Sequence, residues 1–287
     1  MTPLRSLAIC AAAIAVFGCT KEATFIEPLP NYAAIHWLNA VPDTGQQDIR
    51  VIDIVSNAAL FDANFRGSNM FYQPIEAGSR TVRIFNSSPD PAIASQILAE
   101  TTLSLTASTG YTFIHAGFAR TGGTPARTVL VIPDAPPTPA AGQVAVRAIN
   151  AGAGLGNVDV FVVRKAVNPS TVDSLPDARA ASNIAFGALS AYIAVAVDDT
   201  TTALAQSMRV VFTTAGTKAV LASITAPAGQ FGTPVNNPIA GSRIAGSVLT
   251  AVLVPRPVAG SPAQQNAADT LRSTVYLVDR RPPNTAP

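Results

Sequence analysis

The chain carries one unit twice. Ile35–Ala40 (IHWLNA) aligns with Val146–Ala151 (VRAINA) at an offset of 111, and the same offset lays Asp48–Val51 on Asp159–Val162 and Asn57 on Asn168. Ser68-Asn69 is matched to Ser182-Asn183 at an offset of 114, and the closing segments Thr128–Asp134 and Ser273–Asp279 at 145. An ungapped match through three landmarks is the mark of duplication. Each copy must therefore close its own core: repeat one over residues 33–134, repeat two over 143–279. Pro133–Gly142 holds four prolines in ten residues and reads as a semi-rigid polyproline spacer, with 135–142 as the linker proper.

Within each copy the apolar segments are short, β-branched and bounded by turn residues. Repeat one offers seven (33–39, 49–55, 70–75, 81–85, 101–105, 111–116 and 129–132), and repeat two seven more (144–149, 158–163, 192–197, 208–212, 219–224, 248–254 and 275–278). Leu103 and Leu105 alternate with polar neighbours, as on a half-buried strand. No long stretch beyond the N-terminus keeps a 3.6-residue period, and the Ala-rich piece 184–197 reads as strand because Gly187 and β-branched residues interrupt it. The expectation is an all-β protein with two tandem Ig-like antiparallel β-sandwiches.

The N-terminus reads as an address. Arg5 gives a short positive region, and Leu7–Phe17 is an unbroken apolar run of eleven residues, too short to span a bilayer but suited to a signal peptide. It ends in Val16-Phe17-Gly18-Cys19, which resembles the lipobox of bacterial lipoproteins. The expectation is a signal peptide over 1–18, lipidation of Cys19, a tether over 19–32, and a membrane partner held through that lipid. With Cys10 removed and Cys19 lipidated, the remainder has no thiol for a disulfide and depends on core size. The tail 280–287 reads as disordered.

Charged residues make up 13% of the chain, against roughly 25% in an average soluble protein, while apolar residues reach 48%. Disorder throughout is excluded. Nineteen basic and seventeen acidic residues, unclustered, give no electrostatic footprint for nucleic acid.

Val146–Ala151, Val158–Val162 and the block Ser182–Tyr192 (SNIAFGALSAY) resemble a bacterial domain-of-unknown-function family, number 4397. That family opens on valine-arginine-x-x-asparagine-alanine and valine-aspartate-valine. Repeat one is similar through Ile35–Ala40, Asp48–Val51 and Ala77–Val82, and repeat two departs at Asp198–Thr202. The resemblance implies an exported or surface protein with tandem domains, and brings no activity or catalytic residue with it.

The residues themselves offer little chemistry. Gly152-Ala-Gly-Leu-Gly156 is glycine-rich, but a strand follows it where a phosphate loop needs a helix, so it reads as a turn. His36 and His115 both fall in strands of repeat one; they are too few for a zinc site, and a noncontiguous hydrolase triad stays open. Asp198-Asp199 and Asp43/Asp48 lack calcium-loop spacing and read as turn acids. Asn39/Asn150 and Asp48/Asp159 recur in both copies, which points to fold rather than to one active site. Trp37 reads as core, and Phe71-Tyr72 places one aromatic on each face of a strand. The longer loops of repeat two, 168–179, 226–243 and 258–269, are the candidates for binding.

These readings converge on a lipid-anchored protein of the outer membrane or cell surface. It has no cofactor, metal or catalytic residue, and binds a glycan or a protein without catalysis. A periplasm-facing accessory subunit is the alternative, and a hydrolase the third.

Overall fold

The computed structural model describes residues 31–54, 59–164, 175–199, 201, 207–265 and 273–282. Cys19 and the segments expected to be a signal peptide (1–18) and, up to residue 30, a tether lie outside these, as does most of loop 168–179. The described chain is built from four four-stranded sheets, and its one helix is a single turn, α1 (Pro91–Ala94), N-capped by Asp90.

Repeat one contributes β1 (Tyr32–Ala40), β2 (Gln47–Val51), β3 (Ala59–Ala63), β4 (Gln73–Glu76), β5 (Gly78–Asn86), β6 (Ile97–Leu105), β7 (Gly110–Ala116) and β8 (Thr128–Asp134). They form an inner sheet in the order β4-β1-β7-β8 and an outer sheet in the order β3-β2-β5-β6. Repeat two contributes β9 (Gln143–Asn150), β10 (Val158–Val163), β11 (Ala181–Ile184), β12 (Ile193–Ala196), β13 (Arg209–Thr214), β14 (Val220–Thr225), β15 (Val248–Val254) and β16 (Ser273–Arg280). Its inner sheet is β12-β9-β15-β16 and its outer sheet β11-β10-β13-β14, so the two copies share one topology.

Two expectations change. Among the described residues each copy has eight strands where seven were read, and the extra ones, β3 and β11, occupy the same edge position. Both contain a residue in the left-handed region, Asp62 (φ 48°) and Asn183 (φ 55°), which breaks the alternation that marks a strand in sequence. The sheets are also not purely antiparallel, since β1 pairs with β7 and β9 with β15 in parallel. After β6 the chain crosses between sheets at 106–109, where the Ser108 amide donates to the Tyr32 carbonyl, so β7 enters the inner sheet at the end where β1 begins.

Strand registers also correct one repeat alignment. Asn69 accepts from the Trp37 amide as Ser190 accepts from the Ala148 amide, so Asn69 corresponds to Ser190 rather than to Asn183. Asn183 instead matches Asp62. The Asp62 amide donates to Asp48 Oδ1 at 2.9 Å, and the Asn183 amide donates to Asp159 Oδ1 at 2.8 Å. The recurring asparagines work in the same way. Asn39 donates to the Ala63 carbonyl and accepts from the Val41 amide, and Asn150 donates to the carbonyls of Ile184 and Gly156 and accepts from the Gly152 amide. Each fastens the end of its edge strand and shapes the turn that follows. Asn150→Ala strands three of these backbone groups and is expected to cost about 2–3 kcal/mol, read as a lower urea midpoint at unchanged slope.

Each sandwich has its own core. Trp37, fully buried and edge-on to Phe113 at 4.9 Å, sits in the first, and Phe212, Met208 and Tyr276 in the second. A third cluster joins the copies: Leu38, Ala40, Ile114 and Ile132 of the first inner sheet pack with Ile149, Val252, Val254 and Leu277 of the second. The inner sheets therefore lie face to face. That double burial is why β1, β9 and β15 read as nearly continuous apolar runs. Backbone contact reinforces it, with the Val278 amide donating to the Met70 carbonyl at 2.8 Å.

Candidate functional site

At one end of this apolar seam lies a buried polar cluster, and the duplication explains its composition. Each copy supplies a tyrosine before or at the start of its edge strand, a threonine from its parallel strand and an aspartate from its closing strand. In repeat one, Tyr72 Oη donates to Asp134 Oδ2 at 2.7 Å, and Thr112 Oγ1 donates to Asp134 at 2.9 and 3.1 Å. In repeat two, Tyr192 Oη donates to Asp279 Oδ2 at 2.8 Å and Thr250 Oγ1 to the same oxygen.

The fourth member differs. Repeat two places Arg147 where repeat one has His36, and each stacks on its own tyrosine. The rings of His36 and Tyr72 are 3.8 Å apart, and the Arg147 guanidinium lies 5.0 Å over Tyr192. Each then reaches across to the other copy's aspartate. Arg147 Nη2 donates to Asp134 Oδ1, while His36 Nε2 faces Asp279 Oδ1 at 3.7 Å. Arg147 Nε also donates to Thr250 Oγ1 at 2.7 Å.

Two carboxylates thus share one guanidinium in a dry site. Burial pulls the Arg147 pKa down, but Asp279 and Asp134 outweigh it and the pKa ends above its ordinary value. Burial pushes the Asp279 carboxyl up to about 6, with Asp134 adding to the rise and Arg147, Thr250 and Tyr192 opposing it. Burial lowers His36 to about 4 and His115 to about 3, so both are neutral at pH 7. Burial and the neighbouring carboxylates raise Tyr72 and Tyr192, which stay protonated donors.

Both histidines are buried within repeat one. His36 Nδ1 lies 3.3 Å from the Asn69 carbonyl, and its Nε2 stands 3.7 Å from Asp279 Oδ1 without a hydrogen bond. His115 Nδ1 meets Gln47 Oε1 at 2.7 Å in the first core. Among the described residues there is no group of three or more His, Cys, Asp or Glu side chains placed to hold a metal. The acids singled out in sequence each serve a turn or an ion pair. Asp43 accepts from the amides of Ala119 and Arg120, Asp198 from Arg164 and the Met208 amide, and Asp199 from Thr201. Gly152–Gly156 is a turn into β10, with Gly154 and Gly156 at positive φ.

The repeat-two loops divide. Leu175 is buried with Phe161, Val163 and Val211 against the outer face of the second outer sheet. The loop from Val258 clasps repeat one: the Val258 amide donates to the Pro42 carbonyl, and Ala263 enters the seam. Among the described residues of these loops, 226–243 stands out. It is a hairpin pinched where a Cβ on Gly241 would meet Gly229 N at 2.2 Å, and it displays Phe231, Val235 and Ile239. Phe71 and Tyr72 display neither ring: Phe71 packs on the second core and Tyr72 joins the polar cluster.

Sequence reading missed one surface. The outer face of repeat one is open, and it differs in kind from its counterpart. Arg50 and Arg83 stand opposite each other where repeat two has Phe161 and Val211. Arg50 pairs with Asp48 and lies 5.2 Å from the ring of Phe61 and 5.4 Å from that of Phe85, while Arg83 pairs with Glu100. Phe61 is 57% exposed. The signal was present: at these repeat positions one copy is cationic and the other apolar.

Residues 33–161 match the model of DUF4397, a domain of unknown function. The DUF4397 match runs from β1 through the whole first sandwich and into β10, and repeat two has the strand order of repeat one. No curated protein matches the chain. Two solved structures are similar to it. One is described as alpha-glucan binding by a streptococcal virulence factor, at 14% identity over 68% of this chain and 88% of that one, with a TM-score of 0.22. The other concerns alpha-glucan recognition by family 41 carbohydrate-binding modules from streptococcal virulence factors, at 11% identity over 67% and 88%, with a TM-score of 0.21. Similarity at that level transfers no function.

Proposed function

We propose that this is a lipid-anchored bacterial envelope protein, held through Cys19 at the outer membrane or cell surface, that binds a glycan without catalysis through the outer face of repeat one. The observation that carries the reading is the contrast between the two outer faces. Repeat two covers its apolar face with Leu175, whereas repeat one exposes Phe61 beside a half-buried Phe85 and two ion-paired arginines. An exposed ring packs against the C–H face of a pyranose, and fixed guanidinium and carboxylate groups hydrogen-bond its hydroxyls. The neutral, buried histidines favour binding over hydrolysis.

A second reading, a periplasm-facing accessory subunit, is favoured by the apolar hairpin tip, where Val235 is 87% exposed. Affinity electrophoresis through a panel of polysaccharides separates the two. Retardation by one glycan that falls at least tenfold in Phe61→Ala and is unchanged in Val235→Ser is the expected result. Retardation by none, with an envelope protein captured only when Val235 is intact, sinks the glycan reading in favour of the accessory one. Anchoring is tested by protease shaving of intact cells: wild type is expected to be membrane-bound and digested, and Cys19→Ala released or left as precursor. Unchanged anchoring of Cys19→Ala removes the lipoprotein assignment.

A further inference from the structure

We propose that the tip of the hairpin over 226–243 is a membrane-contact site, which seats its apolar side chains in the surface of a lipid bilayer. The inference is independent of the glycan reading. It rests on the anchorage at Cys19 proposed above for its proximity to lipid, and the test reads the two apart. The tip displays Phe231, Val235 and Ile239, all exposed. Residues 219–242 carry no charged side chain, so no acid or base has to be dehydrated when the tip leaves water.

The backbone of the tip is suited to the same environment. Gln230 and Ile239 exchange both amide–carbonyl bonds at 2.9 Å, and Thr233 and Asn236 exchange theirs at 2.9 and 3.2 Å. The Asn236 amide also donates to Thr233 Oγ1, and Pro234 and Pro238 have no amide to satisfy. A segment that faces lipid must settle its polar backbone internally, and these bonds do so at both rungs of the hairpin. The base is fixed. The amides of Ser242 and Arg243 donate to the carbonyls of Pro227 and Ala228, and Ala226 and Ala240 are part of the second core. A stem held in this way presents its side chains without the entropic cost of ordering a loose loop.

The hairpin also stands at the end of the molecule where β1 begins. It leads into β15, which runs parallel to β9 with Val248 opposite Ala145, and the Gly246 amide donates to the Gln143 carbonyl at 2.8 Å. The hairpin therefore lies where β9 starts. The polar cluster joins the early parts of β7 and β15, at Thr112 and Thr250, to the closing residues Asp134 and Asp279 of β8 and β16, so the two copies bring like ends together. Cys19 precedes Tyr32 by thirteen residues, a reach of at most about 45 Å. A lipid on Cys19 keeps this end, and the tip with it, near the bilayer. A protein is the poorer occupant. Three apolar side chains fall well short of the roughly 800 Å² that each side of a stable protein interface buries, whereas on a membrane they only supplement an anchor.

The test is tryptophan fluorescence of the purified full chain on vesicles of phosphatidylethanolamine and phosphatidylglycerol, with plain or dibrominated acyl chains. Trp37 is the one native tryptophan and is sealed in the first core, so it gives a constant background. In Phe231→Trp the introduced indole should shift to shorter wavelength and lose roughly half its emission to the bromines, as expected for insertion by about 5–10 Å. Phe61→Trp, on the outer face of repeat one, should show neither change. Adding Val235→Asp to Phe231→Trp should cut the quenching roughly fivefold, with Tm unchanged because the position is exposed. Co-sedimentation with the vesicles reads the anchorage separately. Sedimentation with an unquenched indole at position 231, which a protein occupant predicts, would overturn the tip assignment and leave the anchorage standing, as would equal quenching at positions 61 and 231. Failure of the wild type to sediment would overturn both.

Discussion

Replacing Arg147 by alanine is expected to cost about 3–5 kcal/mol of folding stability, a fall of roughly 10 °C in Tm, measured by thermal and urea unfolding. The guanidinium is 1% exposed and is the positive charge shared by two fully buried carboxylates. Removing it leaves Asp134 and Asp279 in a dry site with only hydroxyls to hold them, and the penalty is that of uncompensated buried charge rather than of one lost bond. Arg147→Lys should recover little, because an ammonium cannot both stack flat over Tyr192 and fork between Asp134 and Thr250. Neutralising the carboxylates together with the cation, in Arg147→Met with Asp134→Asn and Asp279→Asn, should restore most of the loss. Unchanged stability in Arg147→Ala would mean that the carboxylates reach water and that the seam between the copies is not sealed.

The same cluster marks the boundary of what sequence could disclose. The all-β class, the duplication and the role of Asn39, Asn150, Asp48 and Asp159 were legible because local rules govern them: short β-branched runs, turn residues, and side chains that bind nearby backbone. The closing-strand offset of 145 holds, with Asp134 and Asp279 in equivalent places. The edge strands β3 and β11 were not legible, because a left-handed residue in each disrupts the period on which a strand is recognised. The packing of the inner sheets was written in the sequence as the missing alternation of β1, β9 and β15, yet a continuous apolar run does not say what covers its second face. His36 reads alone as an isolated strand histidine. Its meaning comes from Arg147 at the matching position of the other copy, and from two aspartates more than 100 residues apart in sequence that only the fold brings together.

Acid should destabilise the protein through its two histidines and spare it through one aspartate. Between pH 6.5 and 4 the unfolded chain takes up a proton on His36 and on His115, whereas the folded chain, with those groups held to about 4 and about 3, does not. Stability is therefore lost as the pH falls through this window. Asp279 works the other way: its folded pKa of about 6 lets the folded chain bind a proton that the unfolded carboxyl refuses until about 3.8, so its contribution grows on acidification and is lost as pH rises through 6. Two protons against one leave a net excess of one on the unfolded side. The slope is about 1.4 kcal/mol per pH unit between pH 6 and 4, and the total loss by pH 4 about 4 kcal/mol. Urea midpoints measured across this range read it directly. His115→Asn, which keeps an N–H donor for Gln47, removes one histidine from the balance and should flatten the slope to near zero. Asp279→Asn removes the opposing group and should steepen it toward two protons. A wild-type profile that is flat from pH 7 to 4 would mean that the histidines are already hydrated in the folded chain, and with them the cluster that joins the two copies.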